Sequence, residues 1–348
     1  MQNVDFFVLN LLKIEYFRIK TISSDSLSNV SNLSELILDG NNLTNSGINP
    51  AAFRNLHQLQ RISFMNNLLT EFPVNLPTSL THVHLSDNQI SYISSAALLS
   101  LSHVEVLFLN RNRLSDGSFE KGSLTGLDQL VELEVSYNLL NHVPLGVPNT
   151  LEKLHMTSNK LEYIRKDEFP NNLRLIDVSY NHLRAIEDGT LEGLGNLDRI
   201  DLSGNNWNCD CYLKSLKLFL NDNPVHRGIR EPIMCDDLKN AGTLLDHIHH
   251  SDLKCDTIQF NVTTGGNGGA VRVQSEDRSG IVPPFGEYVL IASSDGVADT
   301  ELPIKSLPAD IILEQLLPEQ DYKICLLNKY DVTGSNVPDE YCTTYKLG

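Results

Sequence analysis

An eleven-residue frame that recurs along the chain restricts the possible fold more than any other feature of the sequence. Residues 33–43 read L-x-x-L-x-L-x-x-N-x-L, with leucines at fixed places and Asn41 near the end. An asparagine fills the same place in later copies, at Asn67, Asn88, Asn112, Asn138, Asn159, Asn181 and Asn205. A degenerate earlier copy has Phe17 there. The first part of the chain is therefore built from copies of one short supersecondary unit.

The spacing of these places identifies the unit. From Phe17 onward they lie 24, 26, 21, 24, 26, 21, 22 and 24 residues apart, which are periods of leucine-rich repeats. In such coils the framework leucines point inward and stack on the next coil, while the asparagine amide satisfies backbone groups where the strand turns. We therefore predict an α/β leucine-rich-repeat solenoid over residues 1–204. It would have about nine coils, with short parallel strands on its concave face.

A longer rhythm runs through the array. A shift of 71 residues superimposes 72–77 (FPVNLP) on 143–148 (VPLGVP), and Tyr92 on Tyr163. The array therefore groups into triplets of two long repeats and one short repeat. Because proline fixes φ and donates no hydrogen bond, these two segments predict extended structure on the convex side.

The cysteines mark where the repeats end. They occupy Cys209, Cys211, Cys235, Cys255, Cys325 and Cys342, so none lies among the repeats. An even number in this position indicates disulfide bonds formed in an oxidising compartment. Residues 205–255 are predicted to be a cysteine-rich cap that begins at NNWNCDC, with a short amphipathic helix near 213–220. Its four cysteines allow three pairings, and the small ring disfavours only the bond between the first two.

Residues 256–348 have the pattern of an all-β domain. Alternating segments at 258–262, 271–273, 288–291, 311–313, 322–326 and 341–345 predict strands separated by turns. This number of short strands fits a β-sandwich of immunoglobulin-like type, and the L-x-P-x-x-x-Y motif at 316–322 typically precedes a tyrosine corner. Cys325 and Cys342 fall on the last two predicted strands and could pair across them.

Composition restricts where the chain works and what it binds. The formal net charge of -17 opposes binding to nucleic acid and to anionic lipid. We find neither a secretory leader nor an apolar stretch long enough to span a membrane, so we expect a piece of an ectodomain. No catalytic motif is present, and the chain is predicted not to be an enzyme and to need no cofactor.

The repeats, cap and sandwich together resemble the fibronectin-leucine-rich-repeat transmembrane (FLRT) family over nearly the whole chain. Three stretches carry the resemblance. The first is LDGNNLTNSG at 38–47 with FPVNLP at 72–77, and the second is the cap from 205 to Cys255. The third, 316–326 with Cys342, is similar to the family's fibronectin type III domain. The resemblance implies Cys209–Cys235 and Cys211–Cys255 bonds.

The same resemblance implies an adhesion or guidance receptor ectodomain at the extracellular face of the plasma membrane. Its partners would be extracellular domains of cell-surface proteins: latrophilin-type receptors, netrin receptors of the uncoordinated-5 type, or further copies of itself. The alternative is a secreted matrix organiser of the small leucine-rich type that binds collagen or growth factors. An immune pattern-recognition receptor is a third possibility.

Candidate binding residues follow from the repeat frame, because residues between the framework leucines face solvent on the concave strands. The predicted protein-binding set is Met65, His82, His84, Val106, Phe108, Arg111, Glu132, Glu134, Tyr137, His155, Asp177 and Tyr180. Large apolar side chains such as Phe108 and Tyr137 are the strongest candidates, since aromatic residues are enriched in binding hot spots. Glu132, Glu134, Asp177 and Asp201 are expected to give the later coils an acidic inner face.

Two further patterns involve modification and metal binding. Sequons at Asn29, Asn32, Asn42 and Asn261 predict N-glycosylation sites. The stretch DHIHHSD at 246–252 contains ligands that zinc accepts, but adjacent histidines on irregular backbone are more often simply exposed. No metal site is therefore predicted.

Overall fold

The computed structural model describes residues 9–222, 232–237, 239–254, 259–264, 271–276, 288–294, 297–304, 310–313, 321–328 and 342–346. These residues form two units. The first runs to Trp207 and resumes from Leu216 to Leu245, whereas the second comprises Asn208–Ser215 and the chain from Asp246 onward. The domain boundaries drawn at 204 and 255 stay predictions.

A parallel sheet runs through the first unit and confirms the repeat solenoid. Within the described residues it has nine strands, each paired in register with the strand of the next coil. In order these are β1 (Leu11–Lys13), β2 (Glu35–Ile37), β3 (Arg61–Ser63), β4 (His82–His84), β5 (Val106–Phe108), β6 (Glu132–Glu134), β7 (Lys153–His155), β9 (Leu175–Asp177) and β11 (Arg199–Asp201). A second parallel pair, β8 (Tyr163–Ile164) with β10 (Ala185–Ile186), lies outside this sheet.

The framework leucines form the core of the first unit. In the nine-stranded sheet, the middle residue of each strand from β2 onward is buried, as are the apolar residues on either side of it in the frame. Leu36, for example, pairs with Ile62 in the next strand, and both are shielded from solvent. Because parallel strands are stable only when covered, this stacked apolar layer fixes which face of the sheet remains outward.

The frame asparagines hold successive coils together. Asn138 accepts the Leu114 N–H at 2.9 Å through Oδ1 and donates from Nδ2 to the carbonyls of Leu109 (3.0 Å) and Val135 (2.9 Å). Equivalent bonds recur at Asn67, Asn88, Asn112 and Asn181. This confirms that the buried amide satisfies backbone groups where each strand turns.

The opposite side of the coils is irregular. It carries α1 (Ser95–Leu98) and 3₁₀ turns at Asn45–Gly47, Asp116–Ser118 and Ser123–Gly126. The segments expected to be extended, 72–77 and 143–148, contain neither helix nor strand. Asn75 and Gly146, which the 71-residue shift superimposes, both have positive φ, at 57° and 84°. The longer rhythm of the sequence is therefore present in the backbone.

The last coil ends at a buried tryptophan. Trp207 takes the final leucine place of the frame and donates its indole N–H to the Leu202 carbonyl at 3.3 Å. Helix α2 (Lys214–Asp222) buries Leu216 and Leu220, as its amphipathic pattern predicts, and leaves Leu218 exposed. Lys217 is buried beside them and donates to the Leu245 carbonyl at 2.7 Å.

In the second unit, the described residues form two antiparallel sheets. One has the order β12 (Gln259–Thr264), β13 (Val271–Glu276) and β16 (Asp310–Leu313). The other has the order β15 (Val297–Ile304), β14 (Tyr288–Ser294), β17 (Asp321–Asn328) and β18 (Cys342–Lys346). Leu313 from the first sheet shares a buried cluster with Leu290, Tyr322 and Ile324 from the second.

Disulfide bonds lie in the C-terminal part of the chain. Cys325 and Cys342 are opposite each other on β17 and β18 and are bonded, as predicted. Cys209, Cys211 and Cys235 are each disulfide-bonded as well. Cys255 lies outside the described residues, so the two cap pairings stay predictions. No helix in the described ranges is long and apolar enough to cross a membrane.

Candidate protein-binding face

The outward side of the nine-stranded sheet, here called the sheet face, presents two columns of side chains. They come from the first and third residues of each strand, because the middle residue points into the core. On β4, His82 and His84 are half-buried on either side of buried Val83. The structure places these predicted binding residues in the two columns: His82, His84, Val106, Phe108, Glu132, Glu134, His155 and Asp177.

A pocket of about 230 Å³ opens on the sheet face between β2 and β5. Its walls include Ile37, His84, Val106 and Phe108. The rings of His84 and Phe108 meet edge to face, with centroids 5.2 Å apart and planes at 80°. Because such a pair fixes both rings, the pocket has a preformed and largely apolar wall.

The surroundings of the His84 ring favour its neutral form. Burial lowers the pKa of His84 below its ordinary value of 6.5, against the opposing effect of the Asp39 and Asp87 carboxylates. The His84 ring therefore gives the pocket a neutral aromatic surface at physiological pH, which suits an apolar side chain of a partner, while Glu35, Asp39 and Arg61 place charges in the same lining.

Ion pairs cross neighbouring strands on the sheet face. Arg61 contacts Glu35 at 3.0 Å, beside the pocket. Further along, Lys153 contacts Glu132 at 3.0 Å, and His155 Nε2 lies 3.8 Å from the same carboxylate. Such partly exposed pairs contribute little to stability, roughly 0–1 kcal/mol each. They do neutralise part of the charge that a partner would meet.

Local hydrogen bonds orient the carboxylates that are expected to make the later coils acidic. The Glu134 carboxylate accepts the Ser136 N–H at 2.9 Å, and Asp177 accepts the Ser179 hydroxyl at 2.6 Å. The expectation that Asp201 faces solvent is wrong, since only 1% of it is exposed. The Ser203 hydroxyl donates to Asp201 at 2.6 Å, so this carboxylate serves the last turn of the array.

Four of the predicted binding residues lie beyond the strands. Met65, Arg111, Tyr137 and Tyr180 follow the ends of three-residue strands and stand in the turns after them. Arg111, Tyr137 and Tyr180 have positive φ, of 55°, 56° and 53°. The strands are too short to carry them. Arg111, Tyr137 and Tyr180 each come directly before a frame asparagine and form a separate column at the edge of the sheet face, whereas Met65 stands two residues before Asn67.

The remaining predicted positions are spread over the chain. Asn29, Asn32 and Asn261 are exposed, the last on strand β12, and Asn42 is half-buried. Their glycosylation stays a prediction. His247, His249 and His250 are exposed, and His249 accepts the Ser251 N–H. In the part of the chain that the structure describes, no cluster of three metal-ligand side chains includes these histidines.

The predicted binding set does not contain Ser63, nor Ile37, although Ile37 is expected to face solvent on the concave strands; both line the pocket. It also lacks Arg113, Leu139 and Lys160, which lie two residues beyond the edge column in successive coils. Aligning every copy on its asparagine would have placed these three side chains in one column, because they all follow the asparagine directly.

Family models agree with the repeat fold. The Leucine rich repeat model matches residues 78–140 and 149–206, and a second Leucine Rich Repeat model matches 32–56. Among solved structures, the chain is similar to a chain in the structure of an octameric complex of latrophilin 3, Unc5D and the FLRT2 leucine-rich repeats. That match has a TM-score of 0.67 and 29% identity, covering 72% of this chain and 77% of the other. A Drosophila Toll–Spatzle complex also matches in fold, at a TM-score of 0.55 and 20% identity.

Curated relatives fall into two groups by name. "Leucine-rich repeat transmembrane protein FLRT2" of Mus musculus is 30% identical over 243 residues, which are 69% of this chain and 37% of that protein. Lumican of Gallus gallus is 32% identical over 200 residues, 56% of this chain and 58% of lumican. Podocan-like protein 1 of Homo sapiens is 32% identical over 177 residues, 50% of this chain and 35% of that protein. The chain is a leucine-rich-repeat protein, similar in its repeats to both FLRT2 and lumican.

Proposed function

We propose that the chain binds other extracellular proteins through its sheet face, as the ectodomain of an adhesion or guidance receptor. The observation that carries this proposal is the preformed pocket whose wall is the His84–Phe108 pair. It lies within an open face of short strands, where a partner can reach it without a change in the backbone. The similarity to the repeats of FLRT2, seen in complex with latrophilin 3 and Unc5D, supports partners of those two types.

The length of the sheet face suits such an interface. Parallel strands lie about 4.8 Å apart, so nine strands extend over roughly 40 Å. A stable protein–protein contact needs about 800 Å² on each partner. Strands of three residues add a width of about 10 Å, so the strands supply roughly half of this area and side chains beside them would supply the rest. The pocket between β2 and β5 would hold one apolar side chain.

The energetic role of the pocket follows from burial. Transfer of a Leu- or Phe-sized side chain from water into an apolar site contributes about 1.5–3 kcal/mol. The half-exposed ion pairs around it act mainly on orientation and association rate. Phe108 is therefore proposed as the main contributor to affinity, with Val106 and His84 in support and Glu134 and Asp177 further along the face.

The proposed place of action is outside the cell. Each described cysteine is disulfide-bonded, which fits an oxidising compartment. The paired antiparallel sheets of the second unit support a fibronectin type III-like domain after the repeats, the order that the FLRT resemblance implies.

Surface plasmon resonance with purified Unc5D and latrophilin 3 ectodomains tests the proposal. Phe108→Ala is expected to weaken affinity for a partner by about tenfold or more, which corresponds to about 1.4 kcal/mol. Glu134→Lys should weaken it also, through the charge on the face. The matched control is Tyr92→Ala, which removes an exposed aromatic ring outside the sheet face. Unchanged affinity in both sheet-face variants would exclude this face as the site.

The similarity to lumican and podocan-like protein 1 favours a second candidate, a secreted matrix organiser. Co-sedimentation with collagen fibrils distinguishes the two. A matrix organiser would sediment with the fibrils and lose this binding with changes to the repeats. A receptor ectodomain would remain in solution and bind the cell-surface ectodomains instead.

A further inference from the structure

The turns that follow the strands carry a second exposed surface, distinct from the sheet face. It lies on two columns of side chains in the coils of β5 to β9, directly before and after each frame asparagine. Six of these side chains are here called the edge strip: Arg111, Arg113, Tyr137, Leu139, Lys160 and Tyr180. Ser158 and His182 fill the two other places. Backbone bonds hold both columns in register. The Tyr137 N–H donates to the Thr157 carbonyl of the next coil at 2.8 Å, and the Leu139 N–H to the Leu114 carbonyl of the preceding coil at 2.7 Å.

The backbone of the inner column gives no reason for large side chains. Arg111, Tyr137 and Tyr180 all have positive φ, a conformation that costs an ordinary residue roughly 1–2 kcal/mol. Gly40 and Gly204 occupy the same place in other coils, with φ of 64° and 65°, and adopt this conformation without that cost. Bulky residues at strained positions point to a role for the side chain itself.

The side chains of the edge strip are exposed and partly ordered in advance. The Arg111 guanidinium lies 4.3 Å from the centroid of the Tyr137 ring. Tyr180 packs on Gly204, where an added Cβ would come within 2.6 Å of the ring. Even so, Tyr137, Leu139 and Tyr180 are 47%, 43% and 53% exposed. Arginine and tyrosine are, with tryptophan, enriched in binding hot spots.

The charge of the edge strip is opposite to that of the chain. The sequence has 44 acidic and 27 basic residues, yet the strip holds cations at Arg111, Arg113 and Lys160 and no carboxylate. Asp87, 3.9 Å from Arg111 Nε, lies in the coil before the strip and marks its border. At physiological salt, charges are screened beyond about 8 Å, so a bound partner would respond to the local cations more than to the net charge.

We infer that the edge strip binds an acidic protein segment that carries an aromatic or aliphatic side chain. The carboxylates would pair with Arg111, Arg113 and Lys160, and the apolar side chain would lie on Tyr137, Leu139 and Tyr180. A sulfated polysaccharide is less well matched, because three exposed apolar side chains occupy the strip and Arg113 and Lys160 stand two coils apart. This site goes beyond the sheet-face function and does not depend on it.

Selection of a random displayed peptide library on the whole chain tests this inference. The selected peptides are expected to be rich in Asp and Glu with an aromatic or aliphatic residue. Tyr137→Gly and Arg113→Gln should each weaken their binding by about tenfold, or about 1.4 kcal/mol. Tyr92→Ala, outside both surfaces, should leave it unchanged. Peptides whose binding only Phe108→Ala weakens would belong to the sheet face, so failure of this test and failure of the sheet-face proposal can be told apart. Because glycine occupies the equivalent place at Gly40 and Gly204, Tyr137→Gly is expected to fold.

Three outcomes would overturn the inference. The library could yield no peptide above background, or peptides that the two edge-strip variants bind as well as the wild type. Alternatively, the library could yield no acidic peptides while the chain binds heparin at physiological salt and loses this binding in the Lys160→Glu variant. That last result would assign the strip to sulfated polysaccharide.

Discussion

Replacement of Asn138 by alanine should destabilise the repeat array far more than loss of one polar side chain at the surface. Asn138 is buried, and its Oδ1 is the hydrogen-bond acceptor for the Leu114 N–H. Alanine leaves this donor inside the solenoid without a partner. The carbonyls of Leu109 and Val135 also lose a donor, but each keeps one from a neighbouring asparagine, Asn112 or Asn159, at 3.0 Å.

The magnitude follows from these bonds. A buried donor left unpaired costs about 1–3 kcal/mol, and each of the two lost carbonyl bonds contributes about 0.5–1 kcal/mol net. The free energy of unfolding should therefore fall by about 2–5 kcal/mol. Asn172→Ala is the matched control, since it removes an exposed amide with a single bond, to the Asn149 carbonyl at 2.7 Å. Its effect should stay within about 0.5 kcal/mol.

Urea unfolding followed by both fluorescence and circular dichroism measures the difference. The single tryptophan of the chain, Trp207, is buried in the last coil and reports on that end, while circular dichroism reports on all coils. If the coils stack cooperatively, Asn138→Ala shifts both transitions together. A difference below about 1 kcal/mol between the Asn138 and Asn172 variants would refute this account of the asparagine ladder.

Three other changes test separate parts of the structure. Leu133→Ala opens a cavity in the buried layer under β6 and should lower the free energy of unfolding, measured by urea titration, by about 2–5 kcal/mol. A loss under about 1 kcal/mol would place Leu133 outside the core. Tyr137→Gly relieves positive φ and should leave the thermal midpoint unchanged or higher; a clear drop by calorimetry would show that the ring is structural. Because the pKa of His84 is lowered in the folded chain, the unfolded chain binds a proton more readily, and the free energy of unfolding of the wild type should decline as pH falls through 6.5. His84→Gln should lack this decline when unfolding is measured across that range, and an equal dependence of stability on pH in both proteins would contradict this prediction.

Much of the repeat fold could be predicted because its period is written directly in the sequence. The leucine places determine which residues are buried, and the asparagine place determines where each strand turns. What the frame does not give is the length of the strands or the sign of φ. Arg111, Tyr137 and Tyr180 were expected on the sheet face for this reason, and they lie in the turns because each strand ends after three residues.

Other differences arise from interactions that no local pattern records. Asp201 occupies a position that faces outward in other coils, yet it is buried and hydrogen-bonded to Ser203. Strand β15 was not expected, because Val297–Ile304 contains Asp, Glu and Pro, which are depleted in strands. It lies at the edge of its sheet, where proline is tolerated because no partner on that side needs its N–H. The pocket at Phe108 depends on four strands meeting, which a single repeat cannot show.

Hydroxyl-radical footprinting of the chain with and without a saturating partner ectodomain tests the central claim most directly. If the sheet face binds the partner, oxidation of His84 and Phe108 should fall on complex formation, while Tyr92 and Leu145, exposed outside the sheet face, should oxidise as before. Protection of Tyr92 or Leu145 with His84 and Phe108 unchanged would contradict it and place the interface elsewhere on the molecule.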